Sequence, residues 1–119
     1  MVDSRLAALQ RGRQGEARVA EALSADGWTV LSRNWRGGGG ELDLVVSRGP
    51  SLRFVEVKTR AEDDPVGLES VGPAKQANLV RAARAWMLEH HHDFDDLAFM
   101  VVMVEPDGIT WIDDAFDVE

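Results

Sequence analysis

The chain of 119 residues contains no cysteine. That absence removes three chemistries together: a disulfide framework, a thiolate metal site and a cysteine nucleophile. Long apolar runs are also missing. The longest, Leu97 to Val104, falls well short of the roughly 20 residues that a membrane-crossing helix needs. The first residues, Met-Val-Asp-Ser-Arg-Leu, lack the apolar core of a signal peptide. A single cytoplasmic domain with no membrane partner is the expectation. Serine–histidine–aspartate patterns, a phosphate-loop lysine motif and a dinucleotide glycine fingerprint are absent as well.

Positive charge is missing from one end. All 13 Lys and Arg lie at or before Arg84, where 11 Asp and Glu accompany them, giving that part about +2. The last 35 residues hold 10 acids and no Lys or Arg. The formal net charge of −8 is therefore concentrated in the C-terminal third, a possible surface for a protein partner or a merely solvated tail. Composition alone does not predict nucleic-acid binding.

What is present reads as one α/β domain in the order αβββαββ. A helix is expected from Ser4 to Asp26, with Leu6, Leu9, Val19, Ala20 and Leu23 at helical spacing. Gly12 and Gly15 predict either a break or a close approach to another backbone or ligand. Strands are expected over Trp28–Trp35, Glu41–Ser47 and Leu52–Thr59, joined by turns at Gly37–Gly40 and Arg48–Ser51. A polar loop over 61–73 leads to a second helix from Pro73 to about His91. Leu97–Glu105 is a fully apolar strand of the kind covered on both faces, and Ile109–Ile112 is the last strand. The result is a mixed five-stranded sheet flanked by helices.

The chemistry is carried by acids on apolar strands. Side chains alternate faces along a strand, so Glu56 and Lys58 share one face while Val55 and Val57 take the other. By the same rule Glu41 and Asp43 share a face, with Leu42 and Leu44 opposite. Glu16 falls on the apolar stripe of the first helix, where an acid is costly unless paired; Arg11, Arg13 and Arg18 are its simplest partners. The alternative is convergence of Glu16, Asp43, Glu56 and Lys58 on one site. Asp43, Glu56 and the backbone carbonyl of Val57 suit Mg²⁺ or Mn²⁺, hard ions that favour oxygen. Such an ion neutralises charge growing on a scissile phosphate, and Lys58 orients the attacking water or stabilises the oxyanion. Glu16 would hold a metal-bound water or a second ion.

Other residues suggest phosphate contacts. Arg33, Arg36 and Arg60 flank the expected cleft, and Lys75 with Gln76 opens the second helix, where phosphate is welcome. Trp35, beside the glycine-rich turn, is a candidate to stack on a base, whereas the other tryptophans read mostly as core. His90-His91-His92 cannot converge on a metal while helical, because neighbours point about 100° apart.

Gly15-Glu16, Arg33-Asn34, Gly40-Glu41-Leu42-Asp43-Leu44, Phe54-Val55-Glu56-Val57-Lys58-Thr59-Arg60, Lys75 and Phe94-Asp95 together closely resemble the YraN-type bacterial proteins. Those are similar to the PD-(D/E)xK restriction-endonuclease-like superfamily, near the archaeal Holliday-junction resolvases. Leu42 stands where the wider pattern carries proline, and Asp93 replaces a basic residue before Phe94-Asp95. The resemblance implies a restriction-endonuclease-like core and a metal-dependent endonuclease acting on branched or duplex DNA, with Asp43, Glu56 and Lys58 as its site and Glu16 as the helix acid. It also implies a homodimer. The rival expectation is a nucleic-acid- or protein-binding module that keeps the fold without cutting.

Overall fold

The structure, a computed structural model, describes residues 4–59, 72–90 and 93–116, with side chains from residue 13 onward. Helix α1 (Ser4–Ala25) is followed by strands β1 (Thr29–Gly37), β2 (Gly40–Arg48) and β3 (Ser51–Thr59). Helix α2 (Pro73–His90) and strands β4 (Asp96–Glu105) and β5 (Gly108–Ile112) complete the order. The sheet runs β1-β2-β3-β4-β5. All neighbours are antiparallel except β3 and β4, a parallel pair of the kind that needs a long crossover, here carrying α2. This is the expected α/β arrangement with a mixed five-stranded sheet. Arg60 and residues 61–71 of the loop predicted over 61–73 lie outside the described residues.

One helix covers each face. Val19, Ala20 and Leu23 of α1 pack with Leu44, Val46, Val55, Val102 and Val104. Leu79, Ala82, Ala83 and Trp86 of α2 pack with Leu42, Val45, Leu52, Phe54 and Phe99. Strand β4 contributes to both clusters, as its unbroken apolar run predicts.

The mid-helix glycines do not break α1. Gly15 is a close approach instead, since a Cβ there would collide with the Thr59 hydroxyl of β3. The helix ends in a Schellman cap, with Trp28 N–H donating to the Leu23 carbonyl (3.0 Å) and Gly27 N–H to that of Ser24 (3.1 Å). The glycine-rich β1–β2 turn is not loose. Gly38 (φ 61°) and Gly39 (φ 85°) form its tip, the positive angles that a tight hairpin turn demands. The turn presses on α2 so closely that a Cβ on Gly40 would strike the Asn78 carbonyl, and one on Gly38 would come within 2.6 Å of the Arg81 carbonyl.

Strict alternation fails in β2. Leu42 belongs to the α2 cluster and Leu44 to the α1 cluster, so the two do not share a face. The strand pair is irregular there: Asn34 and Asp43 stand between the paired positions Arg33↔Leu44 and Trp35↔Leu42, and Asn34 has φ 48°. Asparagine tolerates this left-handed backbone better than most residues, and the β1–β2 register itself shifts only between Val30 and Ser32.

A candidate metal centre where two strands part

Pairing of β2 with β3 reaches Leu44↔Val55 and stops, while β3 stays paired with β4 as far as Thr59↔Val104. Beyond Val55, β3 has therefore lost its neighbour on one side. Asp43 closes the gap, because its Oδ2 accepts the Val57 N–H at 2.8 Å. In a strand the N–H and C=O of one residue point to the same side. The Val57 carbonyl thus also faces the parted gap, beside the Asp43 carboxyl.

Glu56 lies next to it, with its side chain 6% exposed. Lys58 Nζ sits 3.2 Å from Glu56 Oε1, as the shared strand face predicts, and Val55 and Val57 turn to the α1 cluster. A second ammonium reaches the same oxygen: Lys75 Nζ of α2 is 3.3 Å from Glu56 Oε1. The Asp43 carboxyl is pushed up to about 8, first by burial, then by the charge of Glu56, with smaller contributions from Glu16 and a hydrogen bond to Glu56. The Val57 N–H opposes that rise. Glu16 is also raised, first by burial, against a hydrogen bond from the Asn34 side chain and with the charges of Glu41 and Glu56 adding to it. Arg13 pulls it the other way, so one of the simple partners foreseen for Glu16 does act on it, but weakly.

The structure therefore brings together Glu16, Asp43, Glu56, Lys58 and Lys75. Glu41 leans away and pairs with Arg36 at 3.5 Å on the surface. Among the described residues, no three acidic or histidine side chains are gathered as a ready ligand set. What the gap offers is two carboxylates and a backbone carbonyl. Oxygen-only donors of this kind suit Mg²⁺ or Mn²⁺, which take few protein ligands and keep water. The elevated Asp43 fits too, since crowded carboxyls without a cation between them hold on to a proton.

The expected phosphate contacts are scattered. Arg33 is exposed on edge strand β1, opposite Leu44. Arg36, on the same strand, is committed to Glu41. Gln76 lines a cavity of about 830 Å³ between α2 and the C-terminal segment, with Arg81, Arg84 and Phe116 among its walls. Trp35 is no free stacking platform: its ring lies over Gly37, meets His90 edge-on at 6.2 Å and packs on the α2 cluster. His90 itself stacks on Trp86 at 4.1 Å and its Nδ1–H donates to the Trp86 carbonyl at 2.9 Å. Trp28 and Trp86 are core, whereas Trp111 is 42% exposed.

Three contributors escape a reading by residue pattern. Asn34 holds Glu16, Thr59 sets the approach of α1, and Lys75 joins Glu56 instead of standing clear of it. Only Gly15 beside Glu16 signalled the second of these.

The description "Uncharacterised protein family UPF0102" matches residues 15–104, a span that takes in every member of the cluster. A UPF0102 protein of Synechococcus sp. (strain JA-3-3Ab) is 49% identical over 98 residues, covering 79% of this chain and 74% of the relative. A UPF0102 protein of Rhodopseudomonas palustris (strain BisB18) is 40% identical over 107 residues, covering 88% and 78%. One from Nitratidesulfovibrio vulgaris (strain DP4) is 40% identical and covers 99% and 90%. The YraN-type resemblance of the motif string is thereby borne out, and the chain belongs to the UPF0102 family.

Proposed function

We propose that the chain is a metal-dependent DNA endonuclease of the restriction-endonuclease-like kind. The observation that carries this reading is the parted β2–β3 gap, where Asp43 takes the Val57 N–H and stands beside Glu56 under two lysines. Asp43, Glu56 and the Val57 carbonyl would hold Mg²⁺ or Mn²⁺, which would supply Lewis acidity for phosphodiester hydrolysis. Lys58, a compact point charge 25% exposed, orients the attacking water or stabilises charge on the phosphate. Glu16, whose carboxyl is raised first by burial, stands at the edge of the site as its helix acid. Arg33 on the edge strand, with Lys75 and Gln76 at the start of α2, meets the DNA backbone. Branched DNA suits a homodimer, whose two-fold symmetry would present two sites to one junction. Residence in the cytoplasm accords with helices among the described residues that are not long and apolar enough to cross a membrane.

A second reading has its own observation. Both lysines already occupy Glu56 Oε1 and no three-acid ligand set is gathered among the described residues, which favours a binding module that keeps the fold without cutting. Its partner would be nucleic acid, or a protein meeting the acidic C-terminal surface. One experiment separates the two. Four-way junction, flap, single-stranded and duplex DNA are incubated with the protein and with Asp43→Ala and Lys58→Ala, in Mg²⁺, in Mn²⁺ and in chelator. Cleavage lost in both variants and in chelator is the nuclease result. Intact DNA in every lane, with Asp43-dependent metal binding, is the result for the binding module.

A further inference from the structure

Lys75 is placed against the local electrostatics of its own helix. It is the third residue of α2, and the first turn of that helix carries no acid. The N-terminus of a helix bears partial positive charge and favours anions, so a lysine there is in the wrong place for helix stability. Such local conflicts mark positions held for another purpose. Here Lys75 reaches from the surface, 43% exposed, to a carboxylate that is 6% exposed. That oxygen already has Lys58 at 3.2 Å. One ammonium suffices to neutralise Glu56, and a second on the same atom repels the first.

The two lysines are not equivalent. Lys58 is anchored on β3 two residues from Glu56 and is 25% exposed. Lys75 sits on a separate element, α2, and at 43% exposed lies nearer water than Lys58. We infer that Lys75 is a tethered counter-ion of the metal centre. In the metal-free protein its ammonium occupies Glu56 and holds apart the charges that would otherwise crowd the gap. A divalent ion on Glu56 evicts it, so Lys75 lowers metal affinity in the absence of substrate. A DNA phosphate that takes the freed ammonium removes this penalty, and metal and DNA then bind cooperatively through one side chain. The inference rests on the metal centre proposed above and adds the coupling of its two ligands.

The test reads metal binding and needs no turnover. Mn²⁺ alone is titrated calorimetrically at low ionic strength into the full chain, Lys75→Gln, Lys75→Arg and Arg84→Gln. Removing a charge a few ångströms from a divalent ion is worth about tenfold in affinity at a half-exposed site. Lys75→Gln is expected to bind Mn²⁺ about tenfold more tightly than the unaltered chain. Lys75→Arg keeps the charge and stays within about twofold. Arg84→Gln removes an equal charge nine residues further along α2 and also stays within about twofold, which excludes a general field effect. Equal or weaker binding by Lys75→Gln overturns the inference, as does equal tightening by Arg84→Gln, while both leave the metal centre standing. Absence of Mn²⁺ binding by every protein at millimolar metal overturns the metal centre and the inference together.

Discussion

Strand β3 buries two charges three residues apart and treats them in opposite ways. Arg53 is 7% exposed and Glu56 5%. Arg53 spends all five of its N–H donors. Nε donates to Asp113 Oδ1 at 2.6 Å and Nη2 to Asp96 Oδ2 at 2.8 Å and Asp113 Oδ2 at 3.3 Å. Nη1 donates to the carbonyls of Leu52 and Asp96 at 3.1 and 3.2 Å. Its proton is held more firmly than usual by the two aspartates, against the effect of burial, and Asp96 in turn is lowered by Arg53 first and by Ser51. Nothing about that cluster invites a further ligand. Glu56 instead adds to the rise that burial gives Asp43, shares one oxygen between two lysines, and faces a strand gap. A saturated buried charge is architecture, whereas an unsaturated one is available for chemistry.

Exchanging the two fates gives the largest effects. Glu56→Gln is expected to abolish Mn²⁺ binding and reduce cleavage by at least about a thousandfold, close to 4 kcal/mol of transition-state stabilisation. The fold should survive it, as thermal melting in chelator would verify. Arg53→Met reverses the pattern, with stability falling by about 3 kcal/mol in urea titration and Mn²⁺ affinity left unchanged. If instead the Arg53 variant loses metal and the Glu56 variant unfolds, the division between the clusters is wrong.

Acidity sharpens the same contrast. Asp43 titrates near 8 in the folded chain against an ordinary value of 3.8. Between those values the folded state holds a proton that the unfolded state has released. Metal-free stability is therefore full below about pH 4 as far as Asp43 is concerned, and that contribution is lost as pH rises towards 8. Asp43→Asn should flatten this slope in denaturant titrations across pH 4–9. Mn²⁺ binding at the proposed centre would need the carboxylate, so it should tighten over the same interval and release a proton.

The smallest predicted effect concerns the contact that sets α1 on the sheet. Gly15→Ala gains about 1 kcal/mol of helix propensity but forces the new Cβ onto the Thr59 hydroxyl, and a net loss of about 1 kcal/mol is expected. Thr59 Oγ1 is buried without a hydrogen-bond partner, so Thr59→Ala removes the obstruction at little polar cost. The double variant should recover most of the loss in a thermal-melt cycle, and additive losses would show that the contact does not set the helix position.

Elements with a clear period were legible in the residues. Both helices and all five strands follow from the spacing of Val19, Ala20 and Leu23, from the alternation through Phe54–Lys58, and from the unbroken run of β4. Glu16, Asp43, Glu56 and Lys58 were legible as inward-facing charges. The placement of Leu42 and Leu44 on different faces was not, because strict alternation is all that a strand pattern in the residues can express. Nor was Lys75, which a helix-start rule assigns to phosphate and which the crossover delivers to Glu56. The acidic C-terminal third was the hardest to read. Two of its aspartates serve Arg53, a partnership across 43 and 60 residues that no local pattern contains.

That long-range partnership has a consequence for how the chain comes to be folded. The β1–β2–β3 meander needs only neighbouring residues, and loop closures of that length are rapid. Strand β4 pairs with β3 across a separation such as Ser51↔Asp96, and closing it carries the larger entropic cost. Until Asp96 and Asp113 arrive, Arg53 has no counter-charge and stays in water, so the half of β3 around it has reason to remain open. During synthesis from the N-terminus the carboxylates of the parted gap emerge before Asp96 and Asp113, which seal the opposite end of the same strand. Completion of β3 is thus timed by the arrival of Asp96 and Asp113, and their removal would be felt first at Arg53.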